Sequence, residues 1–245
     1  MSSIAETLLT TIQTSARRIG VQKDESLCIA YSGGPDSTAL LSLFTHLRTL
    51  PEYSGLQLTA VYIDHGLRSR TERARELALV QSVCARHNIP LYLKFFPPHY
   101  LAQHDHRQLG TEAVAREFRY RFLYEIKQRL RARRIILGHT RDDQIETVLM
   151  RCFQGSGPEG LQGITESSEE LWRPLLSVSK PQLQEYIREG RLDCSIDSTN
   201  TDEAYTRNFV RHTLLPRIRE AFPGVEKSLL HMAEKMQSVE AVLEE

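Results

Sequence analysis

The stretch LCIAYSGGPDSTALLSL, residues 27–43, contains the signatures of a strand, a sharp bend and a helix in direct succession. Residues 27–31 are an apolar run with the length and character of a buried strand. The cluster SGGP at 32–35 cannot continue a strand, so the chain must turn there. Asp36 and Ser37 follow, at the place where the N-cap of the next helix is expected. The stretch therefore predicts a strand–bend–helix unit.

Such a unit directs backbone N–H groups and the positive end of a helix at one point, which makes an anion site best suited to phosphate. A plain strand-to-helix turn is the alternative, and it explains the glycines but not the serines at both ends of the bend. The spacing GxxxxGK[ST] and its lysine are absent, so the bend is not a Walker A loop. Simple γ-phosphoryl transfer is therefore disfavoured.

Composition limits the class of protein. The chain has 245 residues, 40% of them hydrophobic, enough for one large domain or one domain with an appendage. Its four cysteines form no CxxC pair, which argues against a structural zinc site or an iron–sulfur centre. The N-terminus does not resemble a signal peptide, and no stretch approaches ~20 uninterrupted apolar residues. We expect a cytoplasmic protein with no membrane segment.

Charge is balanced overall but not locally. The formal net charge is zero, yet residues 115–134 carry a local charge of about +6. A basic stretch of this kind is either a solvated helix face or a surface for nucleic acid, and the sequence leaves both interpretations open.

Apolar runs alternate with helix-like segments along the first two-thirds of the chain. Strands are predicted at 27–31, 58–63, 91–95 and 135–138. Helices are predicted at 4–18, 38–44, 71–87, 111–131 and 142–153. This alternation predicts a doubly wound α/β fold with a parallel sheet. Ligands of such sheets bind beyond the carboxyl ends of the strands, so Asp36, Asp64, His65 and residues 138–143 should converge.

A second group of polar residues follows the strand predicted at 135–138. His139, Asp142, Asp143 and Glu146 gather at the opening of a helix, and we predict them, together with Asp36, as catalytic residues. Capping of the helix dipole is the alternative for Asp142. Asp142 and Glu146 share one helix face and suit an incoming amine or a magnesium ion. We predict Asp36 and Asp142 as the magnesium ligands.

Two arginines lie near the end of the predicted catalytic region. Arg207 and Arg211 are one helical turn apart, a spacing that suits bidentate contacts to phosphate, with solvent-facing charge as the alternative. The polar stretch 197–202 before them is rich in turn formers.

The pattern SGGPDS resembles the pyrophosphate-binding loop of the N-type ATP pyrophosphatases. Four motifs in order extend the resemblance to the tRNA(Ile)-lysidine synthases. They are SGGPDSTALL at 32–41, DHGLR at 64–68, GHTRDDQIETVLMR with GSGPEGL at 138–161, and DSTNTDEAYTRNFVRHTLLP at 197–216. The resemblance implies an adenine nucleotide alpha hydrolase-like fold, with an ATP-pyrophosphatase catalytic domain at 1–216 and a helical extension at 217–245.

The resemblance also implies roles. The ATP-binding residues would be Ser32, Gly33, Gly34, Pro35, Asp36, Ser37, Asp64 and Gly138. The tRNA-binding residues would be Arg116, Arg119, Arg207 and Arg211. The implied reaction adenylates the carbon-2 oxygen of the wobble cytidine in the isoleucine tRNA with a CAU anticodon. L-lysine then displaces AMP through its ε-amine.

Two alternatives stay open: another adenylating tRNA enzyme such as a cytidine thiolase, and a catalytically silent tRNA- or nucleotide-binding module. Position 140 is threonine where many members of the family have histidine, so no role is assigned there. The amphipathic run 225–243 has an apolar face that needs cover, either within a compact chain or across a homodimer interface.

Overall fold

The structure is a computed structural model that describes residues 3–66, 68–97, 99–104, 111–195 and 206–243. The chain divides into two compact units. The sheet unit comprises Met1–Gly138, Ser167–Pro174 and Pro181–Ile196. The helical unit comprises His139–Glu166, Leu175–Lys180 and Asp197–Glu245. The predicted boundary at residue 216 stays a prediction.

The sheet unit contains a five-stranded sheet in the order β3-β2-β1-β4-β5. The strands are β1 (Ser26–Ala30), β2 (Gln57–Asp64), β3 (Leu91–Phe95), β4 (Arg134–Ile136) and β5 (Leu171–Trp172). Every pairing between neighbouring strands is parallel, which confirms the predicted fold class. From β1 the chain continues to β2 on one side, and β4 lies on the other, so the switch in strand order is at the carboxyl end of β1.

Helices connect the strands and form the helical unit. They are α1 (Ser3–Arg18), α2 (Pro35–Leu47), α3 (Arg70–Arg86), α4 (Tyr100–Gln103), α5 (Thr111–Arg129), α6 (Arg141–Phe153), α7 (Pro158–Leu161), α8 (Lys180–Gly190), α9 (Thr206–Phe209), α10 (Leu215–Ala221) and α11 (Val225–Leu243). A π-helical turn, Val210–Leu214, joins α9 to α10. Among the described helices, none has the length and apolarity needed to cross a membrane.

Helices cover both faces of the sheet because the strands are apolar on both sides. Cys28 of β1 and Ile135 of β4 pack with Phe122 of α5 in one buried cluster. The alternate strand positions face the other way, where Phe44 of α2 contacts Trp172 edge-on at 5.2 Å between ring centroids. The Trp172 indole N–H is satisfied inside this core by the Ser15 hydroxyl, 2.8 Å away.

The start of α2 corrects one sequence prediction. Asp36 and Ser37 were predicted as N-caps, but the helix begins at Pro35 and its N-cap is Gly34, whose cap makes no side-chain hydrogen bond. Proline at the first helical position explains the earlier start, since its fixed φ suits a helix and its missing N–H costs nothing there.

The first half of the apolar face of α11 packs within the helical unit. Leu229 and Ala233 are buried in a cluster with Ile145, Val148 and Leu149 of α6. Val239 of the same helix is 48% exposed, and homodimer formation through this helix stays a prediction.

Candidate nucleotide-binding bend and acid–arginine cluster

The bend between β1 and α2, residues 31–37, is held by backbone geometry. Gly33 has φ +78°, a left-handed conformation that glycine adopts without steric cost. A side chain there would also meet Val80 of α3, since a Cβ would lie 3.0 Å from its Cγ2 atom. The Gly33 carbonyl accepts the Ser195 N–H at 2.8 Å, which ties a second segment of the sheet unit to the bend.

The two serines close the bend on itself. The Ser32 N–H donates to the Ser37 hydroxyl at 3.3 Å, and the two hydroxyl oxygens lie 3.1 Å apart. The Ser37 hydroxyl also donates to the Gly34 carbonyl at 3.0 Å. These contacts fix the shape of the bend, so the N–H groups at the start of α2 are directed toward a single point.

Gly138, the last residue of the sheet unit before the helical unit begins, lies against this bend. A Cβ built on Gly138 would be 3.5 Å from the Asp36 carbonyl and from the Ser37 nitrogen. The predicted ATP-binding residues Asp36 and Gly138 are therefore neighbours. Since parallel strands end at one edge, Asp64 and His65 at the end of β2 lie at the same edge of the sheet as the bend.

Asp64 shapes the turn after β2. Its Oδ1 accepts the Gly66 N–H at 2.8 Å, and its Oδ2 pairs with Arg73 Nε at 2.6 Å. Gly66 has φ +71°, and a Cβ there would lie 2.8 Å from the Phe96 carbonyl oxygen. The Asp64 carboxylate thus has a clear structural role, alongside the predicted role in ATP binding.

His65 is held neutral at neutral pH. The pKa of its imidazole is lowered to about 4, mainly by burial. The nearby Arg119 guanidinium also lowers this pKa, and the Asp64 carboxylate raises it by a smaller amount. Its ring is parallel to that of Phe96, with 5.9 Å between centroids.

Two of the predicted tRNA-binding arginines lie on α5. The guanidinium carbons of Arg116 and Arg119 stand 5.2 and 5.9 Å from the centre of the Tyr120 ring. Both side chains therefore belong to the sheet unit and are positioned by the same aromatic ring.

In the helical unit, Thr140 is the N-cap of α6. Its hydroxyl accepts the Asp143 N–H at 3.3 Å, and the Asp143 Oδ2 accepts the Thr140 N–H at 2.8 Å, which completes a capping box. Sequence reasoning gave Thr140 no role, although a threonine three residues before an aspartate at a helix start is a capping signal.

The centre of the helical unit is an acid–arginine cluster, which we define as Asp143, Glu146, Lys180, Arg207 and Arg211. Glu146 is 2% exposed, and both its oxygens accept guanidinium N–H groups. Arg207 Nε lies 2.9 Å from Glu146 Oε2, and Arg211 Nε lies 2.6 Å from Glu146 Oε1. The predicted one-turn spacing of the two arginines is thus used to grip a carboxylate of the same chain.

Asp143 links this cluster to a lysine. Its Oδ1 lies 3.5 Å from Lys180 Nζ and 3.3 Å from Arg207 Nη2. Burial alone would raise the pKa of the Asp143 carboxyl, but the charges of Lys180 and Arg207 and the hydrogen bonds from Thr140 lower it to about 2. No role is predicted for Lys180 from local pattern, because its partner Asp143 is more than thirty positions away in the chain.

Asp142 lies next to this cluster in the sequence but has different contacts. Its Oδ2 accepts the backbone N–H of Lys180 at 2.8 Å, which is its one recorded hydrogen bond among the described residues. His139, a further predicted catalytic residue of this unit, is half-buried.

Among the described residues, no group of three or more His, Cys, Asp or Glu side chains has the arrangement of a metal site. Magnesium commonly uses one or two carboxylates and completes its shell with water and substrate phosphates, and its binding by Asp36 and Asp142 stays a prediction. The polar stretch 197–202 and Leu67 of the DHGLR motif lie outside the described residues.

Comparison with known families agrees with these features. The model of the PP-loop domain family matches residues 3–218. The chain belongs to the PP-loop domain family. The resemblance inferred from the ordered motifs is thereby confirmed at the level of this family.

Similar curated proteins of the PP-loop family carry the name tRNA(Ile)-lysidine synthase. The protein from Thermosipho africanus is 30% identical over 225 residues, covering 92% of this chain and 51% of the relative. The protein from Borreliella burgdorferi is 37% identical over 206 residues, covering 84% and 46%. The protein from Thermotoga maritima is 34% identical over 212 residues, covering 86% and 50%. The chain thus spans about half the length of the curated relatives it matches.

Solved structures show the same PP-loop fold. The U34-tRNA thiolase NcsA from Methanococcus maripaludis superposes with a TM-score of 0.75 at 13% identity, covering 95% of this chain and 78% of that one. An NH3-dependent NAD synthetase from Campylobacter jejuni gives 0.51 at 15% identity, covering 97% and 94%. At these identities the likeness concerns the fold alone.

Proposed function

We propose that this protein is an ATP-dependent tRNA(Ile)-lysidine synthase. In the proposed reaction, ATP adenylates the carbon-2 oxygen of the wobble cytidine of the CAU-anticodon isoleucine tRNA and releases pyrophosphate. The ε-amine of L-lysine then attacks carbon 2, and AMP leaves with the former carbonyl oxygen. Adenylation is required because the carbonyl oxygen of cytosine is a poor leaving group on its own.

The observation that carries the proposal is the bend at residues 31–37. It presents the start of α2 to an anion, and its shape is fixed by Gly33 and by the hydroxyls of Ser32 and Ser37. A site of this kind binds the triphosphate of ATP through backbone dipoles. It has no P-loop lysine aimed at the γ-phosphate, which suits cleavage between the α- and β-phosphates. The names of the similar proteins support tRNA as the acceptor.

The lysine amine must lose a proton to attack, and we assign the proton acceptor to Asp142 rather than Glu146. Glu146 is 2% exposed, and its oxygens are occupied by Arg207 and Arg211, so an incoming amine has no access to it. Asp142 uses Oδ2 for the Lys180 N–H, which leaves Oδ1 for a ligand among the contacts of the described residues. Glu146 then acts as a positioning residue that holds the two arginines.

Asp36 is the residue that we propose to hold Mg2+, because the oxygen of Asp142 that is left for a ligand is assigned to the amine. When bound, the ion would neutralise charge on the departing pyrophosphate. The predicted tRNA contacts stay with Arg116 and Arg119 in the sheet unit and with Arg207 and Arg211 in the helical unit. Each carries planar N–H donors that match phosphate oxygens.

Pyrophosphate release from ATP tests this function. Purified protein is incubated with ATP, Mg2+ and a CAU-anticodon isoleucine tRNA transcript, with and without L-lysine, and the tRNA is then digested and its nucleosides are analysed by mass spectrometry. We expect pyrophosphate and AMP with a mass increase on the wobble cytidine that requires lysine. A transcript with uridine at the wobble position is the matched control and should stay unmodified. Release of ADP instead of AMP would contradict the proposal.

A further inference from the structure

A pocket outside the bend and the acid–arginine cluster lies at the edge of the sheet unit. It has a volume of about 240 Å³ and is formed between the carboxyl end of β3 and the middle of α5. β3 is an edge strand, and β2 lies between it and β1. Neighbouring strands are about 4.8 Å apart, so the pocket beside β3 lies roughly 10 Å from β1, the strand that leads into the bend.

The pocket has firm aromatic walls. Phe96, Tyr100 and Phe118 contact one another with centroid separations of 5.1 to 5.7 Å, two of the three pairs edge-to-face. Phe96 and Phe118 are buried, which holds their rings in place. Phe95 also lines the pocket and is 45% exposed, so its ring is accessible to a ligand.

Two cations lie against these rings. The guanidinium carbon of Arg121 is 4.1 Å from the centre of the Phe118 ring. Lys94 Nζ is 5.9 Å from the centre of Phe96 and 5.3 Å from that of Phe122. Within the described parts of the chain, neither cation has an ion pair with a carboxylate, although Glu125 lines the same pocket. Both charges are therefore available to an anionic ligand.

The same pattern extends along β3 and α5. Every cation–π contact recorded for the described residues joins a side chain of α5 or Lys94 of β3 to an aromatic ring in this region. Alternation of aromatic rings and cations is the composition of surfaces that bind single-stranded nucleic acid, where bases stack on rings and phosphates contact the cations.

We infer that this pocket binds an unstacked base of the RNA substrate, with the adjoining phosphate held by Lys94 and Arg121. The inference rests on the proposed function, which supplies a single-stranded anticodon loop. The base bound here is distinct from the reacting cytidine, which must lie at the bend to receive AMP. A purely apolar small ligand would leave both cations without a partner. A base-paired duplex would offer no exposed ring face to the aromatic walls.

Binding of an RNA stem–loop to the full chain tests the inference. The probe is a fluorescent anticodon stem–loop with a CAU loop, and anisotropy is measured without ATP for the wild type, Phe95→Ala and Arg121→Gln. Loss of one stacking contact should weaken binding about tenfold in Phe95→Ala, while Phe95→Tyr retains wild-type affinity. Arg121→Gln should weaken binding and reduce the slope of log affinity against log salt by about 1.

Matched variants and a second probe separate the explanations. Phe153→Ala and Arg188→Gln remove an exposed phenylalanine and an exposed arginine elsewhere, and they should bind like the wild type. A fully paired duplex should bind more weakly than the stem–loop and be insensitive to Phe95→Ala. Unchanged stem–loop affinity in Phe95→Ala and Arg121→Gln, or equal losses for stem–loop and duplex, would overturn the inference.

The outcome for the proposed function is read separately. If the wild type forms lysidine and Phe95→Ala binds the stem–loop normally, the pocket assignment fails and the function stands. If the wild type binds no stem–loop and modifies no transcript, both fail. If Phe95→Ala weakens stem–loop binding while the wild type binds RNA but does not form lysidine, the pocket stands and the function fails.

Discussion

The bend in the sheet unit and the acid–arginine cluster in the helical unit are built in opposite ways. The bend is made of glycine conformations, serine hydroxyls and the N–H groups of a helix start. The cluster is made of charged side chains that come from distant parts of the sequence, with Glu146 buried between Arg207 and Arg211. A site that depends on backbone geometry should fail when that geometry changes. A site that depends on paired charges should fail when one charge is removed.

The largest effect is expected from Asp36→Asn in the bend. The backbone cradle should survive, but the loss of a carboxylate beside the pyrophosphate should lower the rate of pyrophosphate release by about 10³-fold, or about 4 kcal/mol. Release is measured with ATP, Mg2+, transcript and lysine. Asp24→Asn, at an exposed position of the same unit, should be as active as the wild type. A rate above about a tenth of wild type in Asp36→Asn would remove this residue from the catalytic group.

Glu146→Ala should cause the next largest change, in stability. Removing this buried carboxylate takes the closest acceptor from two partly buried guanidinium groups, and the free energy of unfolding should fall by about 3 kcal/mol, since both arginines keep Asp143 and some contact with water. Urea denaturation measures it. Glu234→Ala, at a side chain that is 76% exposed, should change stability by less than about 0.5 kcal/mol. Equal stability of both variants would show that the cluster is a surface feature.

The pH dependence of the cluster gives a third test. The pKa of Asp143 is about 2 in the folded protein against 3.8 for the unperturbed group, so its ionised form stabilises the fold above about pH 4. That contribution, about 2 kcal/mol, is lost as pH falls through 2. The difference in unfolding free energy between the wild type and Asp143→Asn should therefore shrink between pH 4 and pH 2.

His65 in the sheet unit provides the comparison for that measurement. The pKa of His65 is about 4 in the folded protein against 6.5 for the unperturbed group, so the unfolded state binds the proton more tightly. The wild type should lose stability relative to His65→Gln as pH falls from 6.5 to 4. This pH range lies above the range of pH 4 to 2 in which Asp143 loses its contribution to stability. If His65→Gln and Asp143→Asn changed their stability relative to the wild type over the same pH range, the pKa values assigned to His65 and Asp143 would be contradicted.

The smallest expected effect is the difference in stability between two glycine variants, Gly66→Ala and Gly20→Ala. In Gly66→Ala the new Cβ would lie 2.8 Å from the Phe96 carbonyl oxygen at a φ of +71°, whereas Gly20 has a similar φ of +68° and open space around it. Both alanine variants should lose about 1 kcal/mol from the left-handed backbone, and Gly66→Ala about 1 kcal/mol more from the contact. Thermal melting measures the difference. Equal losses of stability in Gly66→Ala and Gly20→Ala would mean that the backbone at Phe96 moves away from the new Cβ at no cost in free energy.

Much of the fold could be predicted from local pattern. Apolar runs of strand length alternate with helix-like segments, and this pattern predicts β3 at its observed bounds, Leu91–Phe95. The predicted start of α2 is too late, since Asp36 and Ser37 are favourable N-caps in isolation. Pro35 overrode that preference by fixing the first helical residue.

The candidate site was predictable only in part. The bend was visible because its residues are consecutive, and Thr140 with Asp143 was visible in principle as a local capping pattern. The partners of Glu146 were not visible, since Arg207 and Arg211 lie more than sixty positions away. Lys180 was missed for the same reason.

By itself, the sequence determined the family, the parallel sheet and the bend, because each depends on residues that are close together in the chain or on motifs in a fixed order. The tertiary structure decided what the charged residues do. It placed the two arginines on a buried carboxylate, set Asp142 against the backbone N–H of Lys180, and assembled the aromatic pocket beside β3. Charges act over a few ångströms whatever their separation along the chain, so their roles follow only from folded distances.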